Sequence, residues 1–219
     1  FYQDIKLPGT DAAAGETGVG TSVGLGTRVA STSLDFHQGS LQQTNGDLDM
    51  AIVGHGFFQV DDGGIPAYMR AGNFTRNAQG QVVVGSADSG RLLQPAISIP
   101  DGTVSITISG DGFVSVEDAD GTIQNAGQIQ LYRFANNQGL LQRGENLYVE
   151  TPASGAAISD IPGANGLGTI KQRHLEASNV EPVRELVDLI KTQRNFELNS
   201  QTIKAADQML QLISNLRQF

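Results

Sequence analysis

The strings in this chain that could do chemistry are few, and each has a simpler reading. Gly20-Thr21-Ser22-Val23-Gly24 matches the G-x-S-x-G of a nucleophile elbow. That elbow needs a strand before the serine and a helix after it, and here both flanks are rich in Gly, Thr and Ser. Asp88-Ser89-Gly90 has the form of a serine-protease nucleophile segment but reads as a turn. His37, His55 and His174 stand far apart, with no H-x-x-x-H or H-E-x-x-H spacing for zinc. The Asp and Gly pairs at 61–64, 101–102, 111–112 and 120–121 lack the alternating ligand ladder and closing Glu of a calcium loop. Hairpin turns explain them, because Asp-Gly supplies the positive φ such turns require. Gly18-x-Gly20 has neither a third glycine at dinucleotide-fold spacing nor the lysine of a phosphate loop. The adjacent acidic pairs Asp61/Asp62 and Glu117/Asp118 also fall in turn-like contexts. No constellation forms an active site, and the expectation is a protein that is not an enzyme, with no catalytic residue, no cofactor and no bound metal.

Composition narrows the classes. The net charge is −9, and Lys171-Gln172-Arg173-His174 is the nearest approach to a basic patch, so no nucleic-acid partner is expected. Without cysteine there are no disulfides or thiolate metal sites. No apolar run is long enough for a transmembrane segment. The chain begins at Phe1 without Met and shows no signal peptide, so it is expected to be a fragment lacking its true N-terminus.

The elements fall into three parts. Residues 1–26 are an extended Gly-rich arm. Residues 27–175 read as an all-β domain in which short apolar runs alternate with turn signals. Gly56–Val60, Asp61–Gly64 and Ala67–Arg70 make a hairpin; Gln81–Val84 is a further strand; Thr103–Ser109 is the cleanest, with Val104, Ile106 and Ile108 facing one way. Phe113–Val116 lies between Asp111-Gly112 and Asp120-Gly121, Gln128–Phe134 and Asn146–Glu150 complete the strands, and 151–169 is a loop region.

Residues 176–219 hold a long helix. All 27 glycines precede Glu181, and Pro182 is the last proline. Pro182 suits a first helical position; Ser178-x-x-Glu181 offers a competing capping-box start. Val183, Leu186, Val187, Leu189 and Ile190 form an upstream apolar cluster. Ala206, Leu210 and Ile213, beside Ala205, Met209, Leu212, Leu216 and Phe219, form two adjacent heptad stripes downstream. A helix of ~55 Å at 1.5 Å per residue is too long to bury that surface on its own domain, which points to association with other chains. The self-associating residues are expected to be Val183, Leu186, Val187, Ile190, Phe196, Ile203, Ala206, Met209, Leu210, Ile213 and Leu216.

Several ordered motifs resemble one family. They are Gly39-Ser-Leu-Gln-Gln-Thr-Asn45, Asp49-Met-Ala-Ile-Val-Gly-His-Gly-Phe-Phe-Gln-Val60 and Tyr68-Met-Arg-Ala-Gly-Asn-Phe74, then Gly144–Tyr148, Pro162–Gly166, Ser178–Val180, Glu185–Val187, Gln193-Arg194, Phe196-Glu197, Asn199-Ser200 and Asp207–Leu210. Together they resemble the bacterial flagellar rod and hook proteins over nearly the whole chain. Gly39, Asn45, Gly54, Gly56, Phe57, Phe58, Arg70, Gly72, Phe74, Asn179, Gln193 and Arg194 carry the match. Length and the Gly-rich arm are most like the distal rod type; proximal rod or hook proteins are the nearer alternative, and a β-rich adhesin with a helical stalk or a glycan-acting enzyme the more distant ones.

The resemblance implies a mainly β domain plus a C-terminal helix that pairs with an N-terminal helix, which this sequence starts after. It implies a homo-oligomer in the form of a hollow helical tube in the periplasm, carrying torque from motor to hook and passing exported subunits. The implied partners are proximal rod and hook proteins, the surrounding LP-ring proteins and the flagellar type III export apparatus, with export by that apparatus and no cleaved signal. Terminal helices would form the inner tube and the β domain the outer layer.

Overall fold

The computed structural model describes residues 2–5, 21–24, 28–30, 32–87 and 90–216, with side chains for 28–30, 32–87 and 90–213. The chain divides into two compact units, 1–35 and 36–219. In the first, β1 (Tyr2–Ile5) and β2 (Thr21–Gly24) pair antiparallel, Tyr2 opposite Gly24. The rest of the expected 1–26 arm lies outside the described residues, as do Asp88 and Ser89.

The second unit carries β3 (Leu41–Gln43), β4 (Met50–Val53), β5 (Phe58–Asp61), β6 (Pro66–Met69), β7 (Phe74–Arg76), β8 (Val82–Val84), β9 (Arg91–Gln94), β10 (Thr103–Ile108), β11 (Phe113–Asp118) and β12 (Ile123–Gln128). It continues through β13 (Leu131–Arg133), β14 (Leu141–Gly144), β15 (Leu147–Val149), β16 (Ile158–Asp160), β17 (Thr169–Gln172) and β18 (His174–Glu176) to the helix α1 (Pro182–Leu216). The architecture is the mainly β domain with a long C-terminal helix that the turn signals and the glycine-free tail predict.

An antiparallel sheet runs in the order β14-β15-β6-β5-β9-β8-β7, and β10-β11-β12 form a meander. Three antiparallel pairs, β13 with β16, β17 with β4 and β18 with β3, complete the pairing. The predicted 61–64 hairpin joins β5 to β6, with Gly63 and Gly64 both at positive φ and the Gly64 N–H donating to the Asp61 carboxylate at 2.7 Å.

Side chains alternate across a strand, so neighbours in sequence face opposite sides. Phe58, Val60, Ala67 and Met69 point to the main core with Met50, Ile52, Leu93, Val114 and Leu131. Phe57 and Tyr68, one residue away from Phe58 and Met69, point to a second, aromatic cluster with Phe134 and Leu140. The rings there meet edge to face, Phe57 with Phe134 at 5.9 Å and Tyr68 with Phe134 at 4.8 Å between centroids. The sheet is therefore covered on both faces at Phe57-Phe58, which is why two adjacent aromatics are buried.

Two expectations need correction. β10 is bulged between Thr103 and Ser105, so Val104 leaves the inward face and is 71% exposed, while Ile108 stays buried. The loop region 151–169 also contains a strand, β16, which its Gly- and Pro-rich flanks conceal.

Candidate assembly interface

Pro182 is the first residue of α1, which settles the competition between the two possible starts. The Ser178 hydroxyl accepts from the Val180 N–H at 3.2 Å, a local turn upstream of the helix rather than a cap. Glu185 sits in the first turn, where an acidic group complements the macrodipole. With 35 residues the helix is about 52 Å long.

Its apolar side chains are uncovered. Exposure runs from 45% at Val187 to 75% at Phe196, and Val183, Leu186, Ile190, Ile203, Met209, Leu210 and Ile213 fall between. Ala206, Gln193 and Arg194 are exposed as well. Leu216 belongs to the helix, but its side chain is outside the described ones. Leu189, Leu198 and Leu212 share the exposure although the expected set of self-associating residues omits them.

Helical geometry places these residues on two different sides. At 3.6 residues per turn, Val183, Leu186, Val187 and Ile190 fall within roughly 100° of arc. Ile203, Ala206, Leu210 and Ile213 centre about 170° away from them, nearly diametrically opposite. Met209 lies in the arc between them, and exposed Leu212 falls back on the side of Val183 and Val187, so the downstream end is apolar on more than one side. No single groove on one partner covers both faces at once.

The segment that leads into the helix carries a polar junction. Arg70, the residue after β6, donates through Nε to Glu176 Oε2 at 2.7 Å, through Nη1 to the Gly56 carbonyl at 3.2 Å and through Nη2 to the Gly54 carbonyl at 2.7 Å. Glu176, the last residue of β18, accepts the Gly39 N–H on its other oxygen at 2.8 Å. Gly54 and Gly56 stand at φ +111 and +142, which L side chains rarely adopt. Beyond β18, the Ala177 N–H donates to the Ser40 carbonyl at 2.8 Å and Asn179 Nδ2 to the His37 carbonyl at 3.1 Å.

The motif residues thus separate by role. Gly39, Gly54, Gly56, Arg70 and Asn179 meet at this junction. Phe58 and Phe74 stack edge to face in the main core with centroids 5.2 Å apart, Phe57 lies in the aromatic cluster, and Gly72 presses on Met50. Asn45 is exposed in the bend between β3 and β4. Sequence reasoning missed Glu176; its position just ahead of Ser178-Asn179-Val180 was the available signal.

Of the acidic pair Asp61/Asp62, Asp62 is held in ion pairs, while Asp61 accepts the Gly64 N–H. Arg91 Nε lies 2.7 Å and Arg143 Nη1 3.2 Å from Asp62, and Arg91 Nη1 also holds Glu145 at 2.6 Å. The hydrogen bond from Arg91 holds the Asp62 carboxyl below its ordinary range, against a smaller opposing effect of burial. A general acid for glycan cleavage needs a carboxyl raised toward neutral pH, and Asp62 is shifted the other way. Among the described residues no cluster of three His, Asp or Glu groups could hold a metal ion, and no helix is long and apolar enough to cross a membrane.

Residues 51–116 match the D1 domain of the flagellar hook protein FlgE/F/G family, and residues 171–216 match the C-terminal region of flagellar basal body rod FlgEFG proteins. The chain is 44% identical over 221 aligned positions to the flagellar basal-body rod protein FlgG of Buchnera aphidicola subsp. Acyrthosiphon pisum, covering 99% of this chain and 83% of that one. The FlgG of Caulobacter vibrioides gives the same identity and coverage, and that of Bacillus subtilis is 39% identical over 94% of this chain and 80% of its own. Similarity to the flagellar hook protein FlgE of Escherichia coli is 43% over 54% of this chain but only 29% of the hook protein. With relatives this similar along nearly its whole length, the chain belongs to the FlgG family of flagellar basal-body rod proteins.

Proposed function

We propose that this protein is a structural subunit of the distal rod of the bacterial flagellum, building by self-assembly a hollow helical tube that transmits torque from motor to hook and conducts exported subunits. The observation that carries this reading is α1, whose apolar side chains are exposed along its length and on more than one side. Contacts between unlike surface patches propagate when the rotation between subunits does not close, and the product is a filament. In this reading residues 176–219 line the inner tube, 27–175 form the outer layer and the 1–26 arm lies between neighbouring subunits. The role is mechanical and not enzymatic.

The subunit travels through the flagellar type III export apparatus without a cleaved signal and resides in the periplasmic part of the basal body. Its partners are further copies of itself, proximal rod and hook proteins, and the LP-ring proteins around them. The rod is favoured over the hook because similarity to the FlgG relatives spans most of their length and similarity to the hook protein does not.

Disruption of the gene, with complementation by the full-length protein, tests the reading. Electron microscopy of isolated basal bodies is expected to show rods ending short and without hooks in the mutant, restored on complementation. Hook-bearing basal bodies with rods of normal length in the mutant would refute it.

A further inference from the structure

The Arg70–Glu176 pair does more than join two strands. It closes the last strand, six positions ahead of Pro182, and the described side chains of α1 make little contact with the β domain. Apart from half-buried Ser200, the described side chains of α1 are exposed. β3 and β18 are three residues each, too short a ladder to be stable alone. Their pairing ends at Glu176 opposite Leu41, and the two passages then run on side by side, with Ala177 bonded to Ser40. They are so close at Gly39 that a Cβ there would strike the Ala177 carbonyl oxygen.

The polar contacts converge on this point. One oxygen of Glu176 binds Arg70 and the other binds Gly39, so a single carboxylate ties the outgoing strand both to the sheet and to the incoming strand. Arg70 also donates through Nη1 and Nη2 to the carbonyls of Gly56 and Gly54, in the loop between β4 and β5. Gln38 reaches the same region from the segment ahead of β3, donating to the Ile52 carbonyl at 3.1 Å and accepting the Gly54 N–H at 3.0 Å. The pair is well shielded, with side-chain exposures of 16% for Arg70 and 10% for Glu176, so salt screens it weakly.

We propose that Arg70 and Glu176 form a clasp that sets the orientation of α1 relative to the β domain, so that load on the helix passes into the sheet through this ion pair rather than through side-chain packing. Arg suits the task because its planar fork reaches a carboxylate and two carbonyls at once, which the compact ammonium of Lys does not. That the helix bears load rests on the mechanical role proposed above; the orientation itself is a property of one subunit and is measured there.

The chain has no cysteine, so spin labels can be placed at will. Labels on Cys at positions 117 and 191, both exposed, report the distance from the β10-β11-β12 meander to the helix by pulsed electron resonance; labels at 79 and 142, also exposed, in the turn after β7 and in β14, report the seven-stranded sheet alone. Glu176→Gln and Glu176→Asp are compared with the parent, the second keeping the charge on an arm too short to bridge both partners.

The expected result is a 117–191 distribution at least twofold wider in both variants, with the 79–142 distribution unchanged. Amide exchange is expected to speed up tenfold or more in 36–43 and 174–181 but not in β8 or β9. A 117–191 distribution as narrow as the parent's in a folded variant overturns the proposal. So does unfolding of the sheet in both variants, which would make the pair a component of general stability. Assembly is scored separately, so a failed tube does not affect the outcome.

Discussion

Met50 and Gly72 meet backbone to backbone. The Met50 N–H donates to the Gly72 carbonyl at 2.9 Å, and a Cβ built on Gly72 would collide with the Met50 carbonyl oxygen. The obstacle is backbone, so no rotamer change relieves it. Gly72→Ala is expected to cost about 3 kcal/mol, the upper part of the overpacking range, read as a lowered urea midpoint at unchanged m. A variant within about 0.5 kcal/mol of the parent, the scatter of neutral surface changes, would show that β4 moves aside freely.

Phe58 and Phe74 couple β5 to β7 through the interior, although the two strands are not neighbours in the sheet. Phe58 is fully buried. Phe58→Ala should destabilise the β domain by roughly 3–5 kcal/mol, whereas Val104→Ala, at the exposed bulge, should stay within about 0.5 kcal/mol. Equal losses at the two sites in denaturant unfolding would contradict the assignment of the inward face.

The Asp62 cluster predicts an acid limb. Arg91 lowers the Asp62 carboxyl from its ordinary value of 3.8. A carboxyl depressed by folding contributes stability that is present above its unfolded value and is lost as pH falls through the folded one. Thermal unfolding of the parent and of Asp62→Asn, followed from pH 6 to pH 2, should show a gap that is steady at the upper end and closes once the pH falls below about 4. A gap that persists unchanged to pH 2 would mean that charge on Asp62 is irrelevant.

Burial in the aromatic cluster pushes the Tyr68 hydroxyl up to about 12 and raises Tyr132 as well. A raised acid favours the fold below its unfolded value of 10.0, and that stability drains as pH climbs through the folded value. Tyrosinate absorbance should therefore show a late phase accompanying alkaline unfolding, smaller in Tyr68→Phe. A single phase near the ordinary value, identical in parent and variant, would contradict the burial.

Because Leu186 and Val187 lie on a different side of α1 from Leu210 and Ile213, the two pairs should fail separately. Leu210→Asp with Ile213→Asp in the full-length protein is expected to abolish assembly in negative-stain images while leaving the β-sheet circular dichroism intact. Leu186→Asp with Val187→Asp should do the same through a different neighbour. Collapse of the sheet signal in either would mean that helix and sheet share a core.

Much of this was legible in the sequence because it is local. A stretch free of glycine and proline after Pro182 has nothing to interrupt a helix, and its helical apolar spacing points to one. Asp-Gly turns marked the hairpins at 61–64, 111–112 and 120–121 because the conformations they need are nearly glycine's alone. Tertiary structure decided what depends on distant partners. A bulge cannot be read from alternation, so Val104 pointed inward on paper and outward in the fold. Nothing in the local sequence of Glu176 says that Arg70, more than a hundred positions earlier, will meet it. Periodicity records which face of an element is apolar; only the folded chain determines what that face meets and which charges close the joint between sheet and helix.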